Sequence, residues 1–165
     1  MAALTTPRVT PSKGPLVVAG PFGAAASQTL YVGGVMCLDV NGRITPGSTG
    51  ASLICMGVLG NQPNAIPSPS ISTSSTAGNT VVEIQQGEFL LDNDVNNPVV
   101  VADIGHACFL LDDHTVSKFT PLSPARCIAG TVRNVNPTGT SEPNGIGVWV
   151  KLGDVQPFQG TGPYS

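Results

Sequence analysis

The residues of this chain with chemistry to offer are four cysteines, two histidines and a run of aspartates. His106 and Cys108 lie two apart and are followed by Asp112-Asp113-His114. A thiol beside an imidazole is the raw material of a nucleophile pair. It works only when an exposed thiolate sits within hydrogen-bond reach of the ring and of an oxyanion site. On a strand, His106 and Cys108 would point to one face without stacking closely. His114 falls in a turn between apolar runs, where simple solvation is its expected state. The segment therefore reads as a hairpin, with no catalytic residue and no enzymatic activity expected.

Asp92, Asp94, Asp103, Asp112 and Asp113 form a loose acidic set, and LLDNDVNN is locally rich in oxygen ligands. Such ligands suit a hard cation such as Ca²⁺. The spacing, however, lacks the full ligand series and the glycine of a helix–loop–helix calcium loop. Asp and Asn that fold their side chains onto nearby backbone explain the segment without an ion. Gly33-Gly34 does not precede a helix, so no dinucleotide fingerprint is present. Neither a metal nor a cofactor is expected.

Cys37, Cys55, Cys108 and Cys127 each stand alone in an apolar segment, VMCLDV, LICMGV, ACFLL and RCIAG. A structural zinc site wants close pairs that present two thiolates from one turn. Isolated cysteines in strands read instead as buried free thiols, small hydrophobes in effect. Disulfides between neighbouring strands are geometrically possible, but a product of a reducing cytoplasm argues against them.

The elements that must carry these residues are strands. Charged residues make up 10% of the 165-residue chain, well below the usual figure of roughly 25%. Aromatic residues are 5%, so the core must be built from aliphatic side chains. With 20 glycines and 15 prolines, the chain is too often interrupted for long helices, and no sustained helical stripe is visible. The expected fold is all-β, a small β-barrel or β-sandwich of about eight to ten short strands. An extended N-terminal arm (1–28), a β-domain (29–152) with a Ser/Thr/Pro loop (61–79) and a short C-terminal tail (153–165) complete the division.

Asn41-Gly42 predicts a two-residue hairpin turn, because both residues tolerate positive φ. Asp112-Asp113-His114 predicts a second hairpin between the runs 107–111 and 115–119. The period of two over 145–152 places Ile146, Val148, Val150 and Leu152 on one face, with Trp149 and Lys151 on the other. It likewise sets Val82 and Ile84 against Val81 and Glu83, and Phe89 and Leu91 against Leu90 and Asp92. The expected core is Phe89, Leu91, Val100, Phe109, Leu111, Ile128, Val148 and Val150. Trp149 is either a rim residue or part of a subunit interface, where tryptophan is enriched.

A net charge of -3 and a pI near 5.1, with only scattered Lys and Arg, exclude the clustered basic face of a nucleic-acid binder. No secretion signal and no membrane-spanning apolar run are visible. The expectation is a soluble protein made in a cytoplasm.

The succession GHACFLLDDHTVSKF, ARCIAGTVRNV and GIGVWVKL resembles the small β-rich capsid cement, or head decoration, proteins of tailed bacteriophages. The likeness runs from about residue 31 to 152 and rests on the order of segments, a D-D-x-T-V-S turn, an I-A-G-x-V-x-x-V strand and a closing G-V-W-V strand. It implies a structural virion protein on the outer surface of the capsid, commonly a homotrimer. Such a protein bridges major capsid protein subunits and stabilises the head against internal DNA pressure, without touching nucleic acid or membrane. The arm, with Pro7, Pro11, Pro15 and Pro21, has few large apolar groups to bury on its own domain. Strand addition to a capsid subunit or neighbouring copy is its expected use. Pro7, Arg8, Pro11 and Lys13 are its contact candidates, joined by Trp149. The alternative is a β-rich head-fibre or carbohydrate/host-binding module, which usually displays exposed aromatics that this chain supplies sparsely.

Overall fold

The computed structural model describes residues 3–60, 69–118, 126–136 and 147–153. Its strands are β1 (Ser12–Gly23), β2 (Thr29–Tyr31), β3 (Val35–Leu38), β4 (Ile44–Pro46), β5 (Ile54–Leu59) and β6 (Ser70–Ser72). There follow β7 (Val81–Asn93), β8 (Ala107–Leu110), β9 (Thr115–Lys118), β10 (Ile128–Asn136) and β11 (Gly147–Leu152). The fold is all-β. Among the described residues the one helical element is a single 3₁₀ turn at Val101–Asp103, and no helix is long and apolar enough to cross a membrane.

The centre is a five-stranded mixed barrel. β7 pairs with β11, β11 with β10, β10 with β8 and β8 with β9, all antiparallel. The ring closes where β9 runs parallel to β7, with Asp92 opposite Thr115 and Asn93 opposite Val116. The N-terminal half of β7 leaves the barrel and carries β5, β3 and β4 as a side sheet. β2 and β6 form a separate two-stranded ribbon. Ser70–Ser72, placed by the sequence in a loop, is therefore a strand, while 61–68 lies outside the described residues.

Alternation along the strands builds the core as expected. Val148, Val150 and Leu152 point inward with Phe89 and Leu91, and Val82 and Ile84 fill a second cluster beneath the side sheet. Ile146 lies outside the described residues. Val100 corrects the expected core. It is 42% exposed, and Val99 takes the inward place. The reason is local: the Asn93 side chain accepts from the Val99 N–H and donates to the Val99 carbonyl, each at 2.8 Å, fixing Val99 inward just before the 3₁₀ turn. Leu111 and Ile128 are only half-buried. Phe109 is buried, but on the face of β8 opposite Cys108 and Leu110, beneath the Arg126 guanidinium at 5.4 Å.

Both hairpins form. The one at Asn41-Gly42 closes on β4 rather than on the later apolar run, which pairs with the other edge of β3. Its loop is longer than two residues. The Asp39 carboxylate accepts from the N–H groups of Asn41 and Arg43, and Gly42 alone takes a positive φ, 69°.

The N-terminal segment overturns an expectation. It is extended, but it docks on its own domain: β1 pairs antiparallel with β7 from Ser12 opposite Phe89 to Gly23 opposite Val81, with two register shifts. Backbone pairing needs no large side chains, which is why an arm poor in apolar groups can still be held. Leu16 adds a contact with the barrel core. Upstream, the Arg8 N–H donates to the Val32 carbonyl at 3.0 Å and the Leu90 N–H donates to the Pro11 carbonyl at 2.9 Å. Gly33 makes this approach possible. Its φ is +87°, and a Cβ there would collide with the Arg8 backbone. Gly33→Ala is expected to cost about 2 kcal/mol through left-handed strain. It should also expose residues 4–10 to proteolysis while leaving β7–β11 amides protected, a pattern that hydrogen exchange can check.

Candidate functional site

The most unusual group of side chains lies where the N-terminal segment meets the β8–β9 turn. Asp112 folds that turn: its Oδ1 accepts from the His114 N–H at 3.0 Å and the Thr115 N–H at 2.8 Å. Turn chemistry was expected here, and it has a consequence. It turns the His114 ring inward, so that Nδ1 lies 3.0 Å from Asp113 Oδ1 and 3.2 Å from Asp112 Oδ1. Nε2 lies 3.9 Å from Asp92 Oδ2, on β7. His114 is thus half-buried between three carboxylates, not a solvated turn residue.

The segment supplies the other side. Arg8 grips Asp92 with two nitrogens, at 3.0 and 3.3 Å, and the Leu4 N–H donates to Asp113 Oδ1 at 2.9 Å. The hydrogen bond to Asp113 raises the His114 pKa first. Burial opposes it, the Asp112 and Asp113 charges add to it, and Arg8 opposes it; the net direction is up. Asp94 and Asp103 do not join. Asp94 accepts from the Asn96 and Asn97 N–H groups and from Ser117 Oγ, and Asp103 pairs with Lys118 at 3.2 Å.

Asp112, Asp113 and His114 each offer one ligand atom within 4.8 Å of the others. Their 3.0 Å contact is a hydrogen bond closed by a proton on or between the groups, and it needs no ion to explain it.

The interface candidates separate into two places. Arg8 is committed to Asp92. Lys13 Nζ sits 5.6 Å from the Trp149 ring centroid, so two residues assigned to outside contacts meet each other. Pro11 serves through its carbonyl, and Pro7 is exposed. Pro7, Arg8 and Val9 also form one wall of a 510 Å³ groove completed by Val32, Leu59 and Phe89. The pairing of Arg8 with Asp92 spans 84 residues. Only the opposite charges signalled it, and no local spacing could.

The four cysteines are free and buried. Cys108 donates to the Gly130 carbonyl at 3.8 Å, and burial pushes its thiol up to about 12. At neutral pH it stays protonated, and His106 is exposed while Cys108 is buried. Cys37 and Cys127, each alone in sequence, meet with sulfurs 3.6 Å apart, and Cys55 lies opposite Cys37 on β5. The Cys127 contact favours the Cys37 thiolate, but the hydrogen bond with Cys55 and burial outweigh it and raise Cys37. Cys127 is raised by its hydrogen bond with Cys37 and by burial. All three behave as core thiols. Comparison with family models, with curated proteins and with solved structures finds no match to this chain.

Proposed function

We propose that this chain is a structural virion protein that binds the outer surface of a phage capsid and bridges major capsid protein subunits, as a homotrimer. In this role it reinforces the head against internal DNA pressure by contact alone, without catalysis or a cofactor, and bears on neither nucleic acid nor membrane. The segment order that resembles cement proteins supplies the role.

One structural observation carries it. β1 pairs with β7 alone among the described residues, which leaves its outer edge open. On that strand Val17 and Val18 are 61% and 59% exposed. An open edge bearing exposed valines invites another chain. Pro15 and the Gly20-Pro21 bond bracket it, so only a short window, residues 16–19, can accept a partner strand. That geometry favours a defined docking contact over unlimited sheet growth. The contact site thus shifts from Arg8 to the β1 edge, with Lys13 and Trp149 beside the strand's start.

The test is decoration of expanded empty heads by a V17D/V18D double variant. Charge at this edge should weaken binding at least about tenfold, the equivalent of about 1.4 kcal/mol, with the β-fold intact by circular dichroism. Undiminished decoration would remove the β1 edge from the contact. Failure of the unsubstituted protein to bind any head, together with binding to a glycan array, would favour the host-binding module instead.

A further inference from the structure

We propose that His114 is the proton-dependent part of a latch that holds residues 4–10 on the barrel. The segment and the imidazole share carboxylate oxygens. The Asp113 oxygen that contacts His114 Nδ1 at 3.0 Å is the one that accepts the Leu4 N–H at 2.9 Å. The Asp92 oxygen 3.9 Å from His114 Nε2 is the one that Arg8 Nη1 holds at 3.0 Å. Both carboxylate tethers of the segment therefore end on oxygens that the imidazole faces.

The charges around the ring come from three elements. The turn contributes Asp112 and Asp113, β7 contributes Asp92, and the N-terminal segment contributes Arg8. Among the described residues, three carboxylates thus face one permanent cation. Asp112 Oδ1 is satisfied by two backbone N–H groups of the turn, but among the described residues its Oδ2 is buried with no hydrogen-bond partner. Protonation of His114 supplies the second cation at the point where the carboxylates converge. Loss of that proton leaves Nδ1–H able to bridge to Asp113, but as a neutral donor, which is the weaker kind.

The sign follows from the raised His114 pKa. A raised value means that the folded state holds the proton more tightly than the unfolded chain. The stabilisation is complete below the ordinary histidine value and is lost as pH rises through the raised one. Opening is confined to the segment before β1, because from Val17 onward β1 is held by its ladder with residues 81–86 of β7, whose backbone pairing does not use Asp92 or the β8–β9 turn. The inference does not depend on which partner the β1 edge meets.

The experiment is an NMR titration of the full chain between about pH 5.5 and about pH 8.5, the range in which histidine titrates. It follows the His114 ring protons together with the amide protection of Leu4 and Arg8, each relative to an unstructured peptide at the same pH. Protection should fall about fivefold as the ring loses its proton, the difference between a charge-assisted and a neutral hydrogen bond. Val18 should not change. In His114→Gln, protection at Leu4 and Arg8 should be low and independent of pH. The latch is overturned if His114 titrates while Leu4 and Arg8 stay equally protected. It is overturned equally if the ring does not titrate in this range, or if His114→Gln keeps the wild-type pH dependence.

Discussion

Phe89→Ala should destabilise the domain by about 3–5 kcal/mol, the range for truncating a fully buried aromatic. Phe89 is 1% exposed and heads the fully buried side chains by volume. Its position adds to its size. It lies on β7 opposite both Ser12 of β1 and Val150 of β11, where the arm, the barrel and the side-sheet strand come together. Collapse around the cavity would have to move a strand that several others pair with, so relaxation should recover little. Against a total stability of about 5–15 kcal/mol, this loss leaves a domain close to unfolding. Urea denaturation followed by fluorescence of Trp149, the one tryptophan, measures it. Phe89→Leu, which keeps most of the volume, should cost under about 1.5 kcal/mol. A loss below about 1 kcal/mol for Phe89→Ala would show that this core is loosely packed.

That Phe89, Leu91, Val148 and Val150 were legible in the sequence has a physical cause. On β11 the period of two is visible because Trp149 and Lys151 are less buried than Val148 and Val150, and Phe89 and Leu91 keep the same period on β7 although Leu90 between them is buried as well. Val100 was not legible because its neighbours form no strand. The inward choice between Val99 and Val100 is made by the Asn93 side chain, which hydropathy does not register. The arm failed for a different reason. The β1–β7 ladder is a backbone interaction, and exposed valines flanked by prolines have the same composition docked or free. The Asp39 cap similarly lengthened a loop that the Asn-Gly pair alone would make shorter.

The site was partly legible. Asp112 and Asp113 read correctly as turn residues. What the turn does with His114 depends on Asp92, supplied by β7, and on Arg8, supplied by the N-terminal segment. Three stretches far apart in sequence meet there only because β9 runs parallel to β7 and closes the barrel. Cys127 likewise meets Cys37 of the side sheet across 90 residues. Spacing motifs report contacts made within one turn or hairpin and carry no information about such meetings.

Arg8→Ala should therefore have an effect out of proportion to a residue near the end of a chain. The Arg8–Asp92 pair is bidentate, and its side chains are only 13% and 16% exposed. Removing one partner of a desolvated pair leaves the other uncompensated, at a cost of about 3 kcal/mol. Here the orphaned Asp92 would also face Asp112 and Asp113 across the imidazole. Arg8→Lys keeps the charge but not the two-pronged geometry, so it should lose about 1 kcal/mol. The pH dependence separates this account from simple loss of packing. Below the raised His114 pKa, imidazolium remains as a second cation and softens the loss. Above it, nothing replaces Arg8, so the destabilisation of Arg8→Ala should grow as pH rises. Arg8 also opposes protonation of His114, and its removal should move the ring's titration further up. Urea titrations on either side of that transition, with the His114 shift read by NMR, test both expectations. A destabilisation independent of pH, with an unmoved His114, would mean that Arg8 acts through its aliphatic stem rather than its charge.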